Sequence, residues 1–179
     1  MTVAVTPEVF RFVQYDAAEI AAVVEDLLGR LGLAGTRVAL DVDETTPLTR
    51  VVVHEGDPLR IEAGSGALED TRVPRTFSPT AAQVNVGRVL LRRRDRSGAA
   101  FAAAPDDAGL SLAELAAWDV TCVGRLARAG VRVHADRWRY NLRNRIGFTD
   151  ATDAVFDRLW ATDDASWFDI AAACGAVTP

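Results

Sequence analysis

Apolar positions recur every three or four residues early in the chain, at Ile20, Val23, Val24, Leu27, Leu28 and Leu31, and predict a one-faced helix. Asp16 and Glu19 stand ahead of it at the spacing of a capping box, and Gly32 is suited to end it. The pattern then switches to alternation. In 36–43, Val38, Leu40 and Val42 interleave with Arg37, Ala39, Asp41 and Asp43. In 49–54, Val51 and Val53 alternate with Arg50, Val52 and His54, and in 59–63 Leu59, Ile61 and Ala63 alternate with Arg60 and Glu62. These are three short strands, each with one packed and one wet face. Their connections are short and carry Pro47, Gly56 and Pro58, which predicts an antiparallel β-meander over about residues 36–63.

Helical spacing returns after an irregular passage marked by Gly64, Gly66 and Pro74. Ser78-Pro79 reads as a helix start, followed by Val84, Val86, Val89, Leu90 and Leu91 and then an arginine-rich end. Residues 97–109 read as a loop. Ser111 and Glu114 form a second capping box, ahead of Leu115, Trp118, Cys122, Val123 and Leu126. Helices are predicted over 136–146, 150–160 and 163–173, and 131–133 as a short strand or turn. The fold class is therefore α+β: a small antiparallel sheet packed with several helices, with a helical C-terminal half, in a single domain over 1–179.

Composition narrows the chemistry. All 20 basic residues are arginine, so Schiff-base catalysis and the lysine of a phosphate-cradling P-loop are excluded. The two cysteines, Cys122 and Cys174, lie in apolar helical contexts without C-x-x-C spacing, which predicts free thiols and a cytoplasmic setting. No signal peptide and no run of 18 apolar residues is visible, so no membrane association is expected. The net charge of −5 is uneven: 1–87 hold 7 arginines and 13 acids, 88–145 hold 12 and 6, and the remainder 1 and 6. A net acidic chain argues against a dedicated nucleic-acid binder.

Two segments carry candidate chemistry. The first is Val38-Ala39-Leu40-Asp41-Val42-Asp43-Glu44-Thr45, an apolar strand closed by D-x-D-x-T. It resembles the first motif of the haloacid dehalogenase superfamily of phosphohydrolases. That resemblance implies Asp41 as nucleophile, Asp43 as general acid/base, a Mg²⁺ ion between them and a parallel sheet. It covers about eight residues. The residues by themselves also read as two carboxylates on the wet face of a strand, with Asp43 opposite Arg50 across an antiparallel pair.

The second segment runs from His134 to Arg145 and makes His134, Arg137, Arg139 and Arg143 candidates for binding an anion. On a helix, Arg139 and Arg143 lie one turn apart, while Trp138, Leu142 and Ile146 form an apolar stripe. The same arginines find acids in the tail, at Asp150, Asp153 and Asp157.

No metal cluster, G-x-S-x-G elbow or H-E-x-x-H motif is present, and no cofactor is expected. The sequence reads foremost as a non-enzymatic binding or protein-interaction domain, with a protein partner or a second copy as its ligand. A Mg-dependent phosphohydrolase at Asp41 and Asp43, and polyanion binding by 137–145, are its alternatives.

Overall fold

A computed structural model describes residues 2–175 of the chain. The elements run β1 (Val3–Thr6), α1 (Ala17–Arg30), β2 (Val38–Asp43), β3 (Val51–His54), β4 (Leu59–Gly64), α2 (Pro79–Arg96), α3 (Leu112–Arg128), α4 (Ala135–Ile146), α5 (Asp150–Ala161) and α6 (Trp167–Gly175). This is an α+β fold with a helical C-terminal half. The contacts divide it into two compact units: one built from the chain up to Leu90 with Ala129–Val131, the other from Leu91–Arg128 and the chain from Arg132 onward.

The first unit holds a four-stranded sheet in the order β1-β2-β4-β3. The strands pair differently from a meander. β1 pairs with β2, and β2 with β4, both in parallel; only β3 and β4 are antiparallel. β1 is a strand that the sequence pattern did not separate, because four residues before Pro7 carry too short an alternation. β4 takes an inner position, between β2 and β3, and its Leu59, Ile61 and Ala63 are all buried on the packed face. β3 suits an edge: Val52 and Val53 are half-buried and His54 is exposed.

One face of the sheet is packed. Val3, Val5, Val38, Leu40, Val42, Leu59, Ile61 and Ala63 are buried along with Ile20, Val24, Leu27 and Leu28 of α1, which lies against β1. Asp16 caps α1 by accepting from the Glu19 N–H at 2.9 Å, as its spacing predicted.

The second unit is built around Trp118 of α3, which is fully buried. Phe101 stacks on it with ring centroids 4.7 Å apart and Trp167 lies at 5.8 Å, so the 97–109 passage is pinned by an aromatic anchor. The Trp118 Nε1–H donates to Asp95 at 2.8 Å, and Asp95 takes a two-pronged guanidinium from Arg125 at 2.7 and 2.6 Å. The Ser111–Glu114 capping box forms as predicted, at 2.8 and 3.2 Å. The last helix begins at Trp167 rather than 163, because Ser166 and Asp169 make a capping box of their own.

Candidate binding cleft on the open sheet face

Side chains alternate across a strand, so the face opposite α1 carries Thr6, Asp41, Asp43, Arg60, Glu62, Val52 and His54. Register sets the rows. Thr6, Asp41, Glu62 and Val52 lie side by side across β1, β2, β4 and β3, and Ala39, Arg60 and His54 form the next row. The rows are joined by a chain of ion pairs. Arg60 Nε donates to Asp41 Oδ2 at 2.9 Å, and its other arm lies 3.2 Å from Glu62 Oε1. His54 Nε2 stands 3.3 Å from the same Glu62 oxygen. The bond to Asp41, then the fields of Glu62 and Asp41, raise the Arg60 pKa further, so the guanidinium is a fixed charge.

Asp43 is engaged locally. Its Oδ1 accepts from the Thr45 hydroxyl at 2.6 Å and the Thr45 N–H at 2.9 Å, and these bonds hold its carboxyl below the usual carboxylate range. Asp43 does not meet Arg50, since β3 pairs with β4 and not with β2. Arg50 is exposed and makes no ion pair among the described residues. It is the cation on this face that no carboxylate engages among the described residues.

The result is a cleft of about 610 Å³ whose lining includes Thr6, Pro7, Asp41, Asp43, Thr46, Leu48, Arg50, Val52, Arg60 and Glu62. One wall is the 44–48 loop, and its position is fixed by glycine. A Cβ on Gly64 would stand 2.4 Å from the Leu48 carbonyl oxygen, and one on Gly66 only 2.0 Å from that of Pro47. Ser65, between them, donates its N–H (3.1 Å) and its hydroxyl (2.9 Å) to the Thr46 carbonyl. The Tyr15 hydroxyl closes the set by donating to the Ser65 carbonyl at 2.8 Å. Glu44 then ties the loop to the 7–14 segment by accepting from the N–H groups of Arg11 (2.7 Å) and Phe12 (2.6 Å). A second recess of about 340 Å³, lined in part by Phe12, Pro47, Glu69 and Arg75, lies beside the same loop.

Asp41 and Asp43 thus share one wet face, as strand parity predicted, but on a strand with parallel rather than antiparallel neighbours, and both line the cleft. One is ion-paired and the other capped. Among the described residues, no three or more His, Cys, Asp or Glu side chains cluster in a way that could hold a metal ion.

The anion-binding candidates of the helical half do not form one site. Arg139 and Arg143 clasp α5. Arg139 reaches Asp157 at 2.5 Å and Asp153 at 3.4 Å, with its guanidinium 4.3 Å from the Phe156 ring centroid. Arg143 makes a two-pronged contact with Asp153, Nε to Oδ1 at 2.8 Å and its terminal nitrogen to Oδ2. The Arg143 bond, joined by Arg139, holds the Asp153 carboxyl below its usual range. His134 and Arg137 are exposed, without an ion pair among the described residues. His134 sits at the N-cap of α4, and its side chain makes no capping bond.

Arg60, Glu62 and Leu48 are the cleft residues that the sequence did not single out, and Arg50 entered only as the expected partner of Asp43. Their strand parity was visible; which strands are neighbours was not. No family model, no curated protein and no solved structure matches the chain.

Proposed function

We propose that this protein is a non-enzymatic binding domain whose partner enters the cleft on the open sheet face. The observation that carries the reading is Arg50: a cation with no ion-pair partner among the described residues, in a cleft where Arg60 is already engaged by both Asp41 and Glu62. Beside it, Leu48 and Val52 offer apolar surface, so the site fits an acidic group joined to an apolar one. A cleft of this size, mostly pre-formed, is in the range of ligand sites. Rigid walls held by Gly64, Gly66 and Ser65 suit binding, because a preorganised site loses little entropy on occupation.

A titration followed by ¹H–¹⁵N spectra tests this, with N-acetyl-glutamyl-valinamide as probe and the glutamine analogue as control. The glutamyl probe shifts the amides of Val52, Ala63 and Gly64, and the neutral analogue shifts them far less. Equal shifts from both, or shifts confined to the neighbourhood of His134 and Arg137, would refute the reading and in the latter case favour polyanion binding by 137–145.

The Mg-dependent phosphohydrolase is the second reading, favoured by one observation: Asp41 and Asp43 lie on a strand with parallel neighbours on both sides. Turnover of p-nitrophenyl phosphate with Mg²⁺, lost in Asp41→Asn, would establish it over the binding reading. A cytoplasmic setting belongs to the proposal as well, supported by Cys122 and Cys174, which form no disulfide. Burial, before any charged neighbour, pushes the Cys122 thiol up to about 12 and the Cys174 thiol up to about 11, so both stay protonated and unreactive. No helix among the described residues is long and apolar enough to cross a membrane. A partner protein is the ligand class that these features fit best.

A further inference from the structure

β3 is the outer strand of the sheet, and its hydrogen-bond phase tells which backbone groups it leaves over. The Gly64 N–H donates to the Arg50 carbonyl at 3.0 Å, which makes 50/64 a bonded pair of the antiparallel ladder. Bonded pairs alternate, so 52/62 and 54/60 exchange bonds while 51/63 and 53/61 do not. β4 agrees in phase, because the Leu59 N–H turns the other way, to the Arg37 carbonyl on the β2 side at 2.8 Å. Val51 and Val53 therefore direct their N–H and C=O groups outward, and no hydrogen bond of the described residues uses them. The side chains that flank this edge on the open face are Arg50, Val52 and His54.

From this phase and from Arg50 we infer that β3 is a docking edge for an extended acidic segment of a partner protein, which adds as a fifth strand. The inference rests on the cleft being a binding site and names its occupant. An added strand takes up the four outward groups of Val51 and Val53, and its alternate side chains fall beside Arg50, Val52 and His54. His54 already faces Glu62, so the unmet demands are an acid beside Arg50 and an apolar residue beside Val52 and Leu48. For a segment running antiparallel to β3, the pattern required of the partner is apolar-x-acidic, with x pointing to the other face. A second copy of this chain fits poorly. Two β3 strands paired antiparallel about Val52 would set Arg50 of each against His54 of the other and still leave Arg50 without an acid opposite it.

The probe is a labelled six-residue peptide, acetyl-Ser-Thr-Val-Thr-Glu-Ser-amide, with a lysine-for-glutamate counterpart, titrated against the full chain. Two readouts are taken: peptide anisotropy, and amide exchange at Val51 and Val53. The glutamate peptide binds at least fivefold tighter than the lysine peptide, its binding slows exchange at both amides, and Arg50→Glu reverses the peptide preference. Arg50 is exposed and unpaired among the described residues, so this substitution leaves the fold intact. Binding without slowed exchange at Val51 and Val53 overturns strand addition, and so does a preference that Arg50→Glu leaves unchanged. Shifts of Val52 and Gly64 by N-acetyl-glutamyl-valinamide, with no peptide effect on the two edge amides, would leave the cleft standing and remove the edge. Silence in both experiments would remove both.

Discussion

Gly66→Ala is the most direct test of how the cleft wall is held. The added methyl would stand 2.0 Å from the Pro47 carbonyl oxygen and 2.6 Å from its carbon, both backbone atoms that no side-chain rotation can move. A carbon–oxygen contact needs about 3.3 Å, so the 44–48 loop must retreat by about 1.3 Å. That displacement breaks the two bonds from Ser65 to the Thr46 carbonyl and pulls on Glu44, which holds Arg11 and Phe12. Two hydrogen bonds at about 1 kcal/mol each, with the strain of the residual contact, give about 2–4 kcal/mol of destabilisation. Gly29→Ala is the matched control: nothing lies within 4 Å of its added methyl, it is exposed near the end of α1, and it should gain up to about 1 kcal/mol. Urea unfolding of the two variants reads the difference. A Gly66→Ala variant within about 0.5 kcal/mol of the parent would refute the claim that glycine positions this wall.

Asp95→Ala leaves the Arg125 guanidinium and the Trp118 indole N–H without their acceptor in a buried setting, and should destabilise the chain by about 3–5 kcal/mol in the same assay. Phe101→Ala removes the ring stacked on Trp118 and should cost about 3–5 kcal/mol, with a loss of near-ultraviolet dichroism from Trp118. The Asp153 carboxyl has a folded pKa below its unfolded one, so its stabilising effect is present above the unfolded value and lost as pH falls through the folded value. Thermal midpoints measured from pH 6 downward should accordingly fall less steeply in Asp153→Asn than in the parent. Arg60→Gln breaks the links to both Asp41 and Glu62, and should weaken binding of an acidic probe by freeing two carboxylates in the cleft; an unchanged affinity would show that the ion-pair chain does not shape the site.

Local chemistry made much of this molecule legible in the sequence. Asp16 with Glu19 and Ser111 with Glu114 mark helix starts because the capping bond spans three residues and needs nothing beyond them. The buried alternation of Leu59, Ile61 and Ala63 marks a strand with one packed face for the same reason. Asp41 and Asp43 share a wet face by parity alone, and the arginines of α4 could be matched to the acids of the tail because the two helices are near in sequence.

Which strands are neighbours in the sheet is a property of the folded chain. Short connections favour a meander, yet the 44–50 segment passes over Gly64 and Gly66, where a missing Cβ makes room for a backbone carbonyl. That close approach is a contact between residues about 20 apart, invisible to periodicity. With β4 beside β2, Asp41 meets Arg60 in place of the expected Asp43–Arg50 pair, and Arg50 has no ion pair among the described residues. Alternation along each strand assigns every apolar residue to its face without reference to any neighbour. Which charges meet follows from the strand order of the folded sheet, because an ion pair forms only between side chains that the register brings side by side.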